Sequence, residues 1–293
     1  MITNIYTYPE LKRQESDDGR FYLDSKNNPV PSVTTVLNKT SNKKDSIQQW
    51  RNRVGEEEAN RIIKQSTDIG TMVHEALELY LNEQEWRNFS DNQDGILAER
   101  MTEKFIESGL NSITEVWGLE VGLILDGLYA GTADCVGKIN GVPSLIDFKT
   151  ARKMKKREWI EDYFLQCCAY ANAHNVMFNT DINQIVILMI DRDLIFKEFI
   201  VKPTEFNILT KLWKKRLIEF QHIAEDLKNS YRKKLINKTV NVLFENKMKS
   251  GNRYFGRDEY FNPVIVESKI NLTGMIKNVK ILKGTQNLSL IHI

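Results

Sequence analysis

The sequence predicts an α/β chain whose core runs helix, three strands, helix, strand, with added helices and a small C-terminal β-barrel. Three observations predict it. Ile69, Met72, Val73, Ala76, Leu77 and Tyr80 recur at helical spacing. Asp126-Gly127 and Asn140-Gly141 are hairpin signals that cut one β-rich stretch into three strands. Near Ser230 a long amphipathic helix gives way to about sixty residues of short strands and turns.

The elements follow in order. After a turn-rich start, the segment SVTTVL reads as a strand or as a helix start behind a Ser32 cap, and spacing alone leaves both open. A helical pattern runs from about Asp45 to Gln65, and a second helix from about Thr67 carries His74 and Glu78 four residues apart. A further helix spans Glu99 to Leu110. The three strands are roughly Glu115 to Leu125, Tyr129 to Ile139 and Val142 to Thr150. Trp159 to Asn175 is helical, and Gln184 to Ile190 and Leu194 to Val201 read as paired strands. The long helix bears Phe206, Leu209, Leu212, Trp213, Leu217, Phe220 and Ile223. A domain boundary is expected at 229/230, dividing the α/β domain (1–229) from the tail (230–293).

Composition narrows the function classes. The 293 residues, 41% of them hydrophobic, with charges of both signs spread along the chain, suit a soluble globular protein with no membrane segment. Glu10, Glu15, Asp17 and Asp18 argue against a targeting leader, so the chain is expected to stay in the cytoplasm where it is made. A net charge of +2 excludes a bulk polycation, so any nucleic-acid contact must come from local clusters. Three cysteines, two of them adjacent, give neither a disulfide framework nor a spaced metal-ligand set; Cys135, Cys167 and Cys168 read as packing residues.

The informative chemistry lies between Gly131 and Lys153. In LIDFKTARK, Asp147 and Lys149 are two apart and share one side of a strand, while Ile146 and Phe148 face the other. Asp134, beside small Gly131 and Ala133, lies on the preceding strand across a tight turn, so pairing brings two carboxylates together. Close carboxylates repel unless a cation joins them. Hard oxygen ligands suit Mg²⁺ or Mn²⁺, and Lys149 offers positive charge to an attacking water or a scissile phosphate, which is the logic of metal-assisted phosphodiester hydrolysis. A lone Asp-x-Lys is more often a solvated surface pair. Its company weighs the other way: His74, Glu78, Glu120, and Gln166 with Tyr170 at helical spacing. His74 by itself reads as a satisfied core histidine, and the run Arg152, Lys153, Lys155, Lys156, Arg157 as either a solvated loop or a phosphate contact.

Taken in order, GTMVHEALE, Glu120, GTADCVG, LIDFKTARK and QCCAY resemble the motifs of the PD-(D/E)xK nucleases of the RecB-like exonuclease branch. The resemblance is above all to the mitochondrial genome maintenance exonucleases and their phage and bacterial relatives, from NNPVPSVTTVL to the Trp213 helix. It implies a restriction-endonuclease-like core and a Mg²⁺- or Mn²⁺-dependent deoxyribonuclease that trims ends of single-stranded or frayed DNA in replication, recombination or degradation. It further implies metal ligation by Asp134, Asp147 and the Phe148 carbonyl, with His74 and Glu120 beside them, and catalysis by Lys149. Gln166, Tyr170, Thr150, Arg152 and Lys153 would line the substrate path. The cluster cysteines of iron–sulfur members and a helicase nucleotide motif are absent, so neither iron–sulfur cluster nor ATP is expected. A flap or structure-specific endonuclease and an inactive nucleic-acid-binding protein are the alternatives.

The tail carries a separate resemblance. TVNVLFENKMKSGNRYFGRDEYFNPVIVES followed by NLTGMIKNVKI is similar to the TRAM domain of tRNA methylthiotransferases, a small RNA-binding β-barrel. Lys247, Lys249, Arg253, Tyr254, Phe255 and Arg257 would then form a basic, aromatic surface for RNA or DNA. The pairing of such a tail with this nuclease pattern suggests a phage or prophage gene.

Overall fold

A computed structural model describes residues 2–3, 5–41, 44–249, 251–284 and 289–292. The chain is mixed α/β and divides into two compact units, Met1–Leu217 and Ile218–Ile293.

In the first unit, β1 (Arg13–Ser16), β2 (Gly19–Leu23) and β3 (Pro29–Pro31) form a small antiparallel sheet that the turn-rich start had not announced. SVTTVL resolves as a helix, α1 (Val33–Lys39): the Ser32 hydroxyl accepts the Thr35 N–H at 3.0 Å and caps it. α2 (Lys44–Val54) is followed by α3 (Glu56–Leu81), and the break between them falls at Gly55 rather than near Ser66. Gly55 has φ +89°, which L side chains rarely adopt. Ser66 and Thr67, at the expected break, instead turn their hydroxyls back onto the Ile62 and Ile63 carbonyls and leave the helix intact. α4 (Gln93–Ser108) starts earlier than its apolar spacing suggests because Asn92 caps it, accepting the Gly95 N–H at 2.9 Å.

The central sheet has the order β4 (Ile113–Leu125), β5 (Tyr129–Ile139), β6 (Val142–Ala151), β7 (Gln184–Asp191), β8 (Phe196–Val201). Asn140 and Gly141 both have positive φ, the conformation a two-residue hairpin needs, and they fix the β5–β6 register at Ile139–Val142. β6 and β7 are parallel, so a crossover is required, and α5 (Glu161–Phe178) supplies it. On one face, Ile69, Val73 and Leu77 of α3 and Met101 and Phe105 of α4 pack on Cys135, Ile146, Phe148, Val186 and Leu188. α5 itself is buried along Phe164, Leu165, Cys167, Cys168, Ala169 and Tyr170. All three cysteines are buried, as packing residues should be. α6 (Pro203–Leu235) closes the unit, with Trp213 edge-on to Tyr129 at 5.1 Å.

Two turns of this unit share one construction. Asp24 accepts the N–H groups of Lys26 and Asn28, and Asp191 those of Asp193 and Ile195, while Asn27 and Leu194 take the positive φ that completes each loop. Asp191 also accepts the Met154 N–H at 2.8 Å, which ties down the segment after β6.

The second unit holds β9 (Thr239–Lys247), β10 (Arg253–Asp258), β11 (Pro263–Glu267), β12 (Ile276–Lys280), β13 (Lys283–Gly284) and β14 (Ser289–His292) in one sheet of order β12-β9-β10-β11-β14-β13. Among the described residues no strand pair joins β12 to β13, so the expected barrel is an open six-stranded sheet. Its core includes Leu235 from the end of α6. Tyr254, read as a surface aromatic, is instead buried beside Phe244 and Val266 in this core, because alternate β10 residues face inward. No helix among the described residues is long and apolar enough to cross a membrane.

Buried His174 sits among the rings of Tyr6, Tyr8, Trp117 and Phe178, with Nε2 3.0 Å from the Tyr8 hydroxyl and Nδ1 2.8 Å from Thr180 Oγ1. Burial lowers its pKa to about 4. The folded state therefore resists a proton that the unfolded chain takes up near pH 6.5, and stability falls as pH drops from about 6.5 towards 4. Urea unfolding should show a shallower loss for His174→Gln than for the parent across that window; equal slopes would mean that His174 is not the group responsible.

Candidate functional site

The site begins where two strands part. β5 and β6 pair regularly up to Cys135–Ile146, and at the next position the Asp134 side chain takes over, Oδ2 accepting the Phe148 N–H at 2.9 Å. This inserted carboxylate opens the ladder between Asp134 and Asp147. Ile146 and Phe148 stay in the core, the Phe148 ring edge-on to Phe105 and His74. Asp147 and Lys149 alternate to the other side, and Lys149 Nζ lies 5.3 Å from the Tyr163 ring on α5.

Around this gap the distances are short. Lys149 Nζ is 2.6 Å from Asp147 Oδ2 and 4.0 Å from Asp134 Oδ2, and His74 Nδ1 is 3.6 Å from the same Asp134 oxygen. The flanking pairs Leu119–Cys135 and Val121–Ala133 put Glu120 of β4 opposite Asp134. Glu120 adopts φ +47°, a left-handed conformation that costs a residue with a Cβ on the order of 1 kcal/mol. One ligand atom from each of His74, Glu120 and Asp134 can be chosen so that all lie within 4.8 Å of one another. Asp147 stands just outside that trio, tied to Lys149.

Electrostatics follow from the crowding. Burial, with Asp134 and Glu78 adding repulsion, pushes the Glu120 carboxyl up to about 7. Burial likewise raises Asp147, against the pull of Lys149. Desolvation opposes the Lys149 ammonium, but Asp147 and Asp134 outweigh it and hold its pKa above the ordinary lysine value. Burial lowers His74, with Asp134 opposing. Asp147 is buried, and its Oδ2 has the Lys149 ammonium as its partner at 2.6 Å. Three crowded carboxylates with one lysine among them form an oxygen-rich donor set that fits a hard divalent cation.

A cleft of about 470 Å³ leads to these groups, lined by Ser66, Thr67, Gly70, Thr71, His74 and Glu78 of α3 together with Glu120 and Asp134. The sequence had marked His74 and Glu78 there but not their neighbours, although Ser66, Gly70, His74 and Glu78 step by four and share one helix face. Gly70 faces β6 closely: a Cβ there would lie 3.3 Å from Thr150 Oγ1. Tyr163 was also missed, though it shares the face of α5 that bears Gln166 and Tyr170.

The residues expected along a substrate path fare differently. Tyr170 is buried, its ring against Gly131, and its hydroxyl accepts from Gln166 Nε2 at 3.3 Å. Gln166 is half-buried beside it, Lys153 is ion-paired with Asp193, and Arg152 is exposed.

The comparisons bear on this arrangement. No protein-family model matches the chain. It is similar to mitochondrial genome maintenance exonuclease 1 of Homo sapiens, 28% identical over 216 residues, and to that of Mus musculus, 29% identical over 217. Each alignment covers 69% of this chain but only 60% and 61% of the respective relative, so the chain spans about three fifths of the length of these exonucleases. It is also similar, at 43% identity over 96 residues, to the tRNA-2-methylthio-N(6)-dimethylallyladenosine synthase of Pelagibacter ubique, covering 30% of this chain and 22% of that protein.

If desolvation, with like-charge repulsion added, is what raises the Glu120 carboxyl, removing its charge relieves the metal-free protein. In EDTA at pH 8, Glu120→Gln should unfold at a temperature equal to or higher than the parent, and the gain should shrink towards pH 5, where a group with its folded pKa near 7 is already protonated. A lower unfolding temperature at pH 8 would mean that the charged carboxylate supports the fold.

Proposed function

We propose that this chain is a metal-dependent exonuclease of the PD-(D/E)xK type, in the RecB-like branch, hydrolysing phosphodiester bonds from ends of single-stranded or frayed DNA. The observation that carries this reading is the Asp147–Lys149 ion pair at 2.6 Å, with Asp134 4.0 Å away across the opened ladder. The likeness to mitochondrial genome maintenance exonuclease 1 supports it. So does the order of three antiparallel strands, a crossover helix and a parallel strand, which is the core the resemblance implies.

A Mg²⁺ or Mn²⁺ ion held by Asp134, Asp147 and the Phe148 carbonyl, with Glu120 and His74 beside them, would neutralise these carboxylates, polarise the scissile phosphate and lower the pKa of water. The chain's own groups do the rest. Lys149, its ammonium held charged by two carboxylates, serves as a fixed cation rather than as a base: it stabilises negative charge developing on the phosphoryl oxygens and orients the attacking water. Asp147 fixes the Lys149 head group, and Asp134 holds β5 and β6 apart through the Phe148 N–H. The α3 face from Ser66 to Glu78 forms one wall of the approach.

In the same reading the second unit is a TRAM-like module that contacts RNA or DNA. The Pelagibacter ubique synthase supports it, as does the exposed Arg257 guanidinium 5.8 Å from the Phe255 ring. The protein acts in the cytoplasm of a bacterial or phage-infected cell as a phage or prophage product.

The test is Mg²⁺-dependent digestion of end-labelled linear single-stranded DNA beside the same strand circularised. Loss of only the linear form is expected. Cleavage of both would point to an endonuclease, and cleavage of neither with binding retained would point to an inactive binding protein. Lys149→Ala should lower the rate at least about a hundredfold in protein that circular dichroism shows to be folded; full activity in that variant would remove Lys149 from the mechanism.

A further inference from the structure

Five cations follow the Asp147–Lys149 strand, and the structure separates them. Lys153 pairs with Asp193. Lys155 Nζ donates to the Tyr163 hydroxyl at 2.6 Å. Arg157 Nη2 donates to both carboxylate oxygens of Glu205, at 2.7 and 2.8 Å, and its guanidinium lies 4.6 Å from the Phe164 ring. Arg152 is exposed, and Lys156 sits with Nζ 5.5 Å from the ring of Trp159.

Trp159 is 61% exposed, and Trp50, Trp86, Trp117 and Trp213 are all half-buried or buried. It does not lie on a loose loop. The segment that carries it is pinned at Met154 by Asp191, at Lys155 by Tyr163, at Arg157 by Glu205 and the Ile200 carbonyl, and at Ile160, which is buried. The turn itself is closed by the Trp159 N–H donating to the Lys156 carbonyl at 3.1 Å and the Ile160 N–H to that of Arg157 at 3.2 Å. The segment is held at these points while the indole of Trp159 is left in water, which costs stability unless something covers it. It stands four residues before Tyr163, whose ring is 5.3 Å from Lys149 Nζ, so its backbone lies within about 14 Å of the Tyr163 backbone.

On this evidence we infer that Trp159 is a base-stacking platform for the strand whose phosphate enters the Asp147–Lys149 site, with Lys156 and Arg152 meeting the flanking phosphates. The inference rests on the DNA-cleaving reading and adds to it the place where a base is held. The occupant follows from the groups exposed together: an indole in water, with Lys156 Nζ 5.5 Å from its ring and Arg152 exposed on the same segment, matches a π-system strung on an anionic backbone, and stacking on an aromatic residue accepts any base. Trp159 is thus a positioning residue. It sets how the last few nucleotides lie while the carboxylates and Lys149 act on the phosphate, and it favours strands whose bases are unpaired and free to stack.

The experiment uses the full chain with Mg²⁺ and linear single-stranded oligonucleotides carrying one abasic site, moved a nucleotide at a time from the end. For the parent, KM should rise about tenfold when the abasic site occupies the stacked position, the size expected for loss of one base–aromatic contact. Trp159→Ala should show that rise on every substrate, with kcat within about twofold, and no further penalty from the abasic site; Trp159→Phe should restore most of the affinity and the abasic dependence. A Trp159→Ala protein with parental KM, or one that keeps the abasic penalty, would overturn the platform while leaving the nuclease reading intact. If the parent neither binds nor cuts single strands, the nuclease reading itself fails and the platform fails with it.

Discussion

Carboxylates crowded together repel, and this protein crowds them at the gap between β5 and β6, where Asp147 is buried, Asp134 half-buried and Glu120 exposed. Asp134, Asp147 and Glu120 converge there from three neighbouring strands, with Glu78 adding its field from α3. Lys149 offsets part of the repulsion. It does not offset all of it, because the Glu120 carboxyl is still pushed to about 7. A fold that keeps such a cluster, and bends Glu120 to φ +47° to complete it, gives up stability at this spot. The cluster is coherent as a seat for a divalent cation and a phosphate.

The rest of the first unit serves that gap. The Asn140-Gly141 turn sets the β5–β6 register, so that Asp134 arrives opposite Asp147 rather than one residue away, where it would face the core. Ile146 and Phe148 clamp β6 against α3 and α4, which fixes the outward direction of Asp147 and Lys149. Gly70 lets α3 approach Thr150 closely and brings His74 within 3.6 Å of Asp134. α5, buried over most of its length, carries Tyr163 to the Lys149 ammonium from the opposite side.

Much of this was legible in the sequence because it depends on local rules. Period-two alternation placed Asp147 with Lys149, and two glycine-containing turns located three strands. What was not legible depended on interactions between distant residues or on side-chain choices that propensity does not express. The continuity of α3 past Ser66 and Thr67 comes from hydroxyls bonding back to the helix, and its true start from a positive φ at Gly55. The opening of the ladder at Asp134 requires a side chain to replace a backbone acceptor, which no spacing rule signals. Tyr254 was misread because a basic neighbourhood suggested a surface, whereas its inward register in β10 decided its burial. The charge run after β6 looked uniform in sequence; only the fold shows which cations are already engaged.

The claim on which the account stands is that this cluster is a cation site. Calorimetric titration of the metal-free protein with Mn²⁺, beside Asp134→Asn, measures it directly. The account predicts saturable binding by the parent that is lost or weakened at least about tenfold in the variant, since removing one carboxylate removes both a ligand and a charge. Equal Mn²⁺ binding by the two proteins, or none by the parent, would contradict it.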